Sequence, residues 1–164
     1  MRKIRLLGDP VLRRRSKEVE ALDESVESIV EELFQIMYSE DGVGLAAPQI
    51  GVSLRIFAID DGKPMAFVNP KILWRSEDTN IGEEGCLSIP DVFEDVERSN
   101  SVVVEYLDFK GNVAKKQFSG YTARVIQHEY DHLDGVLFID RIAPNRRIAI
   151  REKLISIIRE ANRK

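Results

Sequence analysis

The sequence has little of several residue types, and each shortage narrows the functions open to it. It contains one cysteine and two histidines among 164 residues. The single cysteine, Cys86, excludes an intrachain disulfide and favours a reducing, cytoplasmic setting. No apolar run reaches the roughly 20 residues of a membrane-spanning helix, and the N-terminus lacks the pattern of a signal peptide. We therefore expect a cytoplasmic protein without a membrane partner.

Length and composition predict a single domain. A chain of 164 residues, 43% of them hydrophobic, can build one proper core. No stretch rich in glycine, serine or proline divides it, so we expect one catalytic domain over residues 1–164. The net charge of −4 excludes a global basic surface for nucleic acid, although a local one stays open.

Both histidines lie in one short segment, residues 127–135, which contains the sequence H-E-x-x-H. On a helix, His128 and His132 stand one turn apart with their β-carbons roughly 5–6 Å from each other, so both rings can face one metal ion. Glu129 lies about 100° further round the helix and can act as a general base toward a metal-activated water. The alternative is a pair of ordinary histidines on an amphipathic helix.

A catalytic site of this kind usually has three protein ligands and one open position. The upstream candidate for the third ligand is Cys86, although a lone cysteine is most often a small buried hydrophobe. A metallopeptidase would take its third ligand from downstream instead, where no further histidine exists. The residues alone therefore allow three interpretations. They are a metal-dependent hydrolase with Cys86 as the third ligand, a metallopeptidase with a downstream third ligand, and a non-enzymatic metal-binding module. The downstream acids are Asp134, Asp140, Glu152 and Glu160.

Hydrophobic spacing predicts three helices. Apolar residues recur at three- and four-residue steps from Asp23, and this pattern stops before Gly42. A second helix, which carries the metal motif, is predicted from about Tyr121 to Asp134. A third helix is predicted to begin near Pro144. Its apolar positions are Ile148, Leu154, Ile155 and Ile158.

Between the first two helices, short apolar runs alternate with turns, which is typical of antiparallel strands. A break is predicted at residues 69–70, while residues 42–51 and the segment around Cys86 are interpreted as loops. This order predicts an α+β fold, with antiparallel or mixed β-sheets packed around a central metal-binding helix and with an N-terminal and a C-terminal helix. The predicted strands are residues 54–59, 65–68, 71–74, 102–107 and 113–118.

Three segments together resemble one family, the peptide deformylases. They are residues 42–49 (GVGLAAPQ), residues 84–88 (EGCLS) and residues 127–132 (QHEYDH), in this order along the chain. The resemblance covers most of the sequence. It implies a metal-dependent hydrolase that removes the N-formyl group from the formyl-methionine of nascent polypeptides and releases formate, so N-formylmethionyl peptides are the implied substrates. A metallopeptidase and a non-enzymatic metal-binding module remain the alternatives.

The resemblance also implies a set of metal ligands. Cys86, His128 and His132 would hold one divalent ion, with water in the fourth position, and Glu129 would be the general base. The expected ion is Fe²⁺. Its substitutes are Zn²⁺, Ni²⁺ or Co²⁺, since a set of one cysteine and two histidines suits several of these metals.

Further implied roles concern the substrate. The side-chain amide of Gln49 and the backbone N–H of Leu87 are expected to stabilise negative charge that develops on the formyl oxygen. Val43 is expected near the pocket for the methionine side chain, and Gly44 is expected to offer backbone hydrogen bonds to a peptide that pairs as an added strand. Arg124, on the metal helix, stands where a pocket-lining residue would be apolar.

The C-terminal segment is basic although the chain as a whole is acidic. Because the implied substrates emerge from the ribosome, docking of the basic C-terminal helix to ribosomal RNA is a hypothesis. The alternative is a solvated helix face. The basic residues are Arg141, Arg146, Arg147, Arg151, Lys153, Arg159, Arg163 and Lys164, against Asp140, Glu152 and Glu160.

Overall fold

The computed structural model describes residues 1–163, so Lys164, which belongs to the predicted basic segment, lies outside the described residues. Four helices and seven strands make an α+β architecture, as predicted. The helices are α1 (Glu24–Ser39), α2 (Gly120–Leu133), α3 (Pro144–Ala149) and α4 (Arg151–Asn162). The strands are β1 (Gly44–Ala46), β2 (Ile56–Asp60), β3 (Pro64–Arg75), β4 (Thr79–Cys86), β5 (Ile89–Ser99), β6 (Ser101–Leu107) and β7 (Val113–Ser119).

The first helix begins and ends where the sequence predicts. The side chain of Asp23 accepts hydrogen bonds from the backbone N–H groups of Ser25 and Val26, and this caps the N-terminus of α1. The buried residues of α1 repeat at helical spacing and form a core with β1, β2 and β3. Among residues 1–163, every helix is too short or too polar to span a lipid bilayer.

Five strands form one antiparallel sheet in the order β1-β2-β3-β6-β7. Its inner face is apolar: Phe57 lies opposite Phe67 in the β2–β3 register, and their rings stack with centroids 4.7 Å apart. These aromatic residues pack with Ala123 and Ile126 of α2 in a single buried cluster. The metal-motif helix therefore rests with one face on this sheet.

Two predictions about this sheet are wrong. The predicted break at residues 69–70 is a bulge inside the continuous strand β3, because Asn69 adopts φ 50° and is held from outside the sheet. Its side chain accepts a hydrogen bond from the N–H of Val19 at 2.8 Å and donates one to the Val19 carbonyl at 2.9 Å. The predicted loop of residues 42–51 contains β1 and a 3-10 turn, Ala47–Ile50.

The second sheet, an antiparallel hairpin of β4 and β5, was not predicted. Cys86 is the last residue of β4 and pairs with Ile89 across a tight turn, so its interpretation as a loop residue is wrong. The inward row of β5 includes buried Glu94 and Arg98 beside valines, and this mixture breaks the apolar alternation that marks a strand. The hairpin is thus a strand pair with charges on its buried face.

The predicted third helix is divided at Ile150 into α3 and α4. Arg146 pairs with the carboxylate of Glu94 on β5, and Arg147 donates to the carbonyl of Ile139, so α3 contacts the protein through arginines. Ile148 is consequently 75% exposed, which corrects its predicted place on the apolar face. The α4 residue Leu154 is buried as predicted.

Candidate metal centre

Helix α2 lies between the two sheets. Its apolar face packs on the five-stranded sheet, and its opposite face carries buried polar residues toward the β4–β5 hairpin. The chain leaves the helix at Gly135, which has φ 73°. A Cβ there would lie 2.5 Å from the carbonyl oxygen of Arg13, so the close approach of the N-terminal segment requires glycine.

The three predicted metal ligands come together at the end of this polar face. The sulfur of Cys86 and one ring nitrogen from each of His128 and His132 all lie within 4.8 Å of one another. The sulfur is 3.4 Å from Nε2 of His132. Both histidines are buried, and Cys86 is partly exposed. Two elements supply the set: β4 gives the sulfur and α2 gives the imidazoles.

The donor atoms fit a divalent transition-metal ion. Nδ1 of His128 lies 2.9 Å from Oε1 of Glu84. Because an ionised carboxylate only accepts hydrogen bonds, Nδ1 carries the proton and the lone pair of Nε2 is left for a metal. The buried Nδ1 of His132 has no hydrogen-bond partner among residues 1–163. One sulfur and two imidazole nitrogens suit several first-row metals.

Glu84 is a functional residue that the sequence analysis did not single out. Besides His128, it accepts two hydrogen bonds of 2.9 Å from Arg98 and one of 2.7 Å from Arg124. Burial alone would raise the pKa of this carboxyl, but hydrogen bonds from Arg98 and His128 and the charge of Arg98 hold it well below its usual range. Glu84 is therefore an ionised partner that orients His128.

A second carboxylate continues this arrangement along α2. Asp131 accepts from Arg98 at 2.7 Å and from Arg141 at 2.6 and 2.9 Å. We call Glu84, Arg98, Arg124 and Asp131 the charged frame. The sequence did hold one indication of these two carboxylates, because both lie inside the motifs that suggest the family. Glu84 is two residues before Cys86, and Asp131 directly precedes His132.

Glu129 differs from these carboxylates because it has no such partners. Glu129 is only 4% exposed, and its Oε1 has no hydrogen-bond partner among the described residues. Burial raises the pKa of Glu129 to about 7. Gly44 lies directly against it: a Cβ at that position would be 2.7 Å from Oε2. A carboxylate poised near neutrality suits a general base.

A cleft of about 660 Å³ opens onto this centre. Oε1 of Gln49 accepts from the N–H of Ala46 at 3.0 Å, which directs its Nε2 to Ser88 Oγ at 3.1 Å and to the sulfur of Cys86 at 3.4 Å. The amide donor of Gln49 is thereby fixed beside the ligand set. The predicted residues that line the cleft are Val43, Gly44, Gln49, Cys86, Leu87, His128 and Glu129.

Comparison with known proteins shows which family this chain resembles. The model of the family described as "Polypeptide deformylase" matches residues 1–148. The peptide deformylase of Pseudothermotoga lettingae is 60% identical over 163 residues, covering 99% of this chain and 95% of that protein. The peptide deformylase of Thermotoga maritima is 48% identical over 164 residues, covering 99% of this chain and 100% of that protein.

Solved structures agree in fold. The crystal structure of the Thermotoga maritima enzyme has a TM-score of 0.86 at 49% identity, covering 88% of this chain and 99% of that chain. A peptide deformylase structure from Plasmodium falciparum has a TM-score of 0.94 at 38% identity, covering 99% and 98%. The metallopeptidase and the non-enzymatic module are therefore not favoured. The chain belongs to the peptide deformylase family, the metal-dependent hydrolases that remove the N-formyl group from nascent polypeptides.

Proposed function

We propose that Cys86, His128 and His132 hold one divalent ion, and that deformylation takes place beside Glu129 in the adjoining cleft. The observation that carries the proposal is the meeting of three donor atoms within 4.8 Å at a cleft that also contains an unpartnered buried carboxylate. Fe²⁺ is the proposed native ion, on the strength of the family resemblance. Zn²⁺, Ni²⁺ or Co²⁺ are the proposed substitutes, since the donor set accepts them.

The residues of the chain supply the proton transfers. A divalent ion, when bound, supplies Lewis acidity that lowers the pKa of water at the site. Glu129 accepts the proton of the attacking water and returns it to the amine that leaves. The unpartnered state and near-neutral pKa of this carboxyl support the role, since it is free to accept and then to donate.

Other residues of the cleft stabilise charge and bind the peptide. Gln49 Nε2 and the backbone N–H of Leu87 are proposed to donate to the formyl oxygen as it becomes negative. Strand β1 lies at the edge of its sheet, so its free side can pair with a peptide added as a further strand. Gly44 would provide backbone hydrogen bonds there, and Val43 would contact the methionine side chain.

We also propose that residues 1–164 work as one catalytic domain in the cytoplasm. Both sheets pack on the same helix α2, which supports one domain, and the single cysteine suits a reducing compartment. The ribosome is a proposed partner through α4. Co-sedimentation with ribosomes that is unchanged in the charge-reversed variant Arg159→Glu, which leaves buried Leu154 in place, would defeat this docking hypothesis.

The test of the metal centre is formate release from formyl-Met-Ala under anaerobic conditions with Fe²⁺. The wild-type protein is expected to release formate from this peptide and to leave an unformylated peptide intact. The Cys86→Ala variant is expected to lose its metal, measured by elemental analysis, together with its activity. Full metal occupancy in that variant would remove Cys86 from the ligand set.

A further inference from the structure

Arg124 is a buried arginine that the reaction described above does not use. It lies on α2, one turn before His128, and is 5% exposed. Nη1 donates to Oε2 of Glu84 at 2.7 Å and to the carbonyl of Val96 at 2.8 Å. Nη2 donates to Asn80 twice, to its carbonyl at 2.9 Å and to Oδ1 at 2.6 Å. These hydrogen bonds from the guanidinium all go to residues of the β4–β5 hairpin.

The hairpin backbone is shaped to receive this side chain. A Cβ on Gly82 would lie 3.0 Å from Nε and 3.1 Å from Cζ of Arg124, closer than neighbouring groups ordinarily pack. Glycine at this position lets the guanidinium pack directly against β4. Nη1 also lies 3.4 Å from the Gly82 carbonyl. An arginine thus takes a place in the cleft lining where an apolar residue was expected, because its charge is compensated by Glu84 and by carbonyls of the hairpin.

Arg124 connects the two elements that provide the metal ligands. His128 and His132 lie on α2, whereas Cys86 ends β4, and no backbone hydrogen bond joins these elements within residues 1–163. Side chains of the charged frame make the connection instead. Arg98 reaches from β5 to Asp131 on α2, and Arg124 reaches from α2 to β4 and β5.

We propose that Arg124 is a positioning residue for the metal centre, which it does not touch. Its hydrogen bond to Oε2 of Glu84 fixes the carboxylate whose Oε1 accepts from His128. Its bonds to Asn80 and Val96 fix the strand pair that presents Cys86. Loss of the guanidinium removes one of three arginine hydrogen bonds to this carboxylate and leaves Arg98 alone to orient it, so His128 is held less firmly. The inference rests on the metal centre proposed above.

The test is a Co²⁺ titration of the metal-free full-length protein, followed by the absorption of the cobalt–thiolate complex. The Arg124→Met variant keeps an unbranched side chain about as long as the arginine stem and loses the guanidinium donors. We expect it to bind Co²⁺ ~10-fold more weakly than the wild type, at the low end of the range for partners of metal ligands, and with an altered spectrum. Unchanged affinity and spectrum would overturn the proposal.

A matched control separates positioning from general stability. Arg55 is equally buried and donates to the Leu133 carbonyl at 3.0 Å and to Asp134 at 2.9 Å, at the end of the same helix. Arg55→Met is expected to lower the melting temperature without weakening Co²⁺ binding. An equal loss of affinity in both methionine variants would mean that Arg124 is merely structural.

A double variant tests the route through the carboxylate. Glu84→Gln alone is expected to weaken Co²⁺ binding by ~10- to 100-fold, and adding Arg124→Met is expected to change little. Fully additive losses would overturn the proposed route. If Arg124→Met does not fold, Arg124→Lys serves instead, since one ammonium cannot reproduce the planar set of donors.

The proposed metal centre is checked in the same titration. Cys86→Ala is measured beside the wild type, which is expected to bind Co²⁺ far more tightly and with thiolate absorption. Equal binding by these two proteins would overturn the metal centre itself. If Co²⁺ binding requires Cys86 but is unchanged in Arg124→Met, only the positioning role of Arg124 is overturned.

Discussion

The two sheets that enclose α2 are held to it by different interactions. On one side, the five-stranded sheet packs Phe57, Phe67 and Val104 against Ala123 and Ile126 in a buried, apolar cluster. On the other side, the β4–β5 hairpin meets the same helix through the charged frame, whose four side chains are all nearly fully buried. One helix therefore has an apolar interface and an ionic interface.

This difference explains where the chemistry lies. Apolar packing is non-directional and tolerates repacking, so it sets the position of a helix but not the rotation of a ring. Hydrogen bonds between ions have narrow geometry and hold each group in one orientation. Their desolvation cost makes them a poor source of stability. The proposed ligands Cys86, His128 and His132 lie on the ionic side, where orientation is fixed.

The largest effect is expected from breaking the charged frame at its centre. Arg98→Met removes the cation that Glu84 and Asp131 share and leaves each with one remaining arginine, so we expect the lower end of the about 3–5 kcal/mol that breaking a buried ion pair costs. We expect that loss in the free energy of unfolding of the metal-free protein, measured with urea, together with weaker metal binding. A loss below about 1 kcal/mol would mean that the frame is not required.

A smaller effect is expected from trimming the apolar side. Ile59 on β2 is buried in the cluster with Phe57 and Phe67, and Ile59→Val removes one methylene group. The free energy of unfolding should fall by about 0.5–1.5 kcal/mol. Metal affinity should stay at the wild-type value, because the change does not reach the ionic side. Weakened metal binding in this variant would contradict the division between the two interfaces.

The smallest effect is expected at the edge of the hairpin, where Arg146 of α3 pairs with Glu94 of β5. The hydrogen bond from Arg146 lowers the pKa of Glu94 below its usual 4.5. The ion pair therefore stabilises the fold at pH values above 4.5, and this stabilisation is lost as the pH falls through the lowered pKa of Glu94. Glu94→Gln should melt slightly below the wild type at pH 7, and at the same temperature in strong acid. A difference that persists in acid would contradict this ionic origin.

The apolar side is also the side that the sequence reveals. Helical spacing in α1 and α2 and the turn residues that separate β6 from β7 follow local rules, so these elements were predicted within a few residues. The β4–β5 hairpin was not predicted, because Glu94 and Arg98 occupy inward positions of β5 where apolar residues would mark a strand. The residues that pair with these two charges lie far along the chain, and no local sequence pattern predicts such ion pairs.

The ligand set shows the same contrast between local and distant information. His128 and His132 share one helical turn and were predicted from spacing alone. Cys86 entered only as a candidate until three motifs together suggested the family. Glu84 and Arg124 received no role, because a charged residue beside a motif is usually solvated and only the fold reveals its burial.

The most direct test of the account is the metal-loaded Glu129→Ala variant, assayed for both metal content and formate release from formyl-Met-Ala. The ligand set does not include Glu129, so we expect full metal content. We expect kcat to fall by about 10²- to 10⁴-fold, the usual contribution of a general base. Turnover near the wild-type value at full metal content would contradict the central claim that an unpartnered carboxylate beside the metal centre carries the proton.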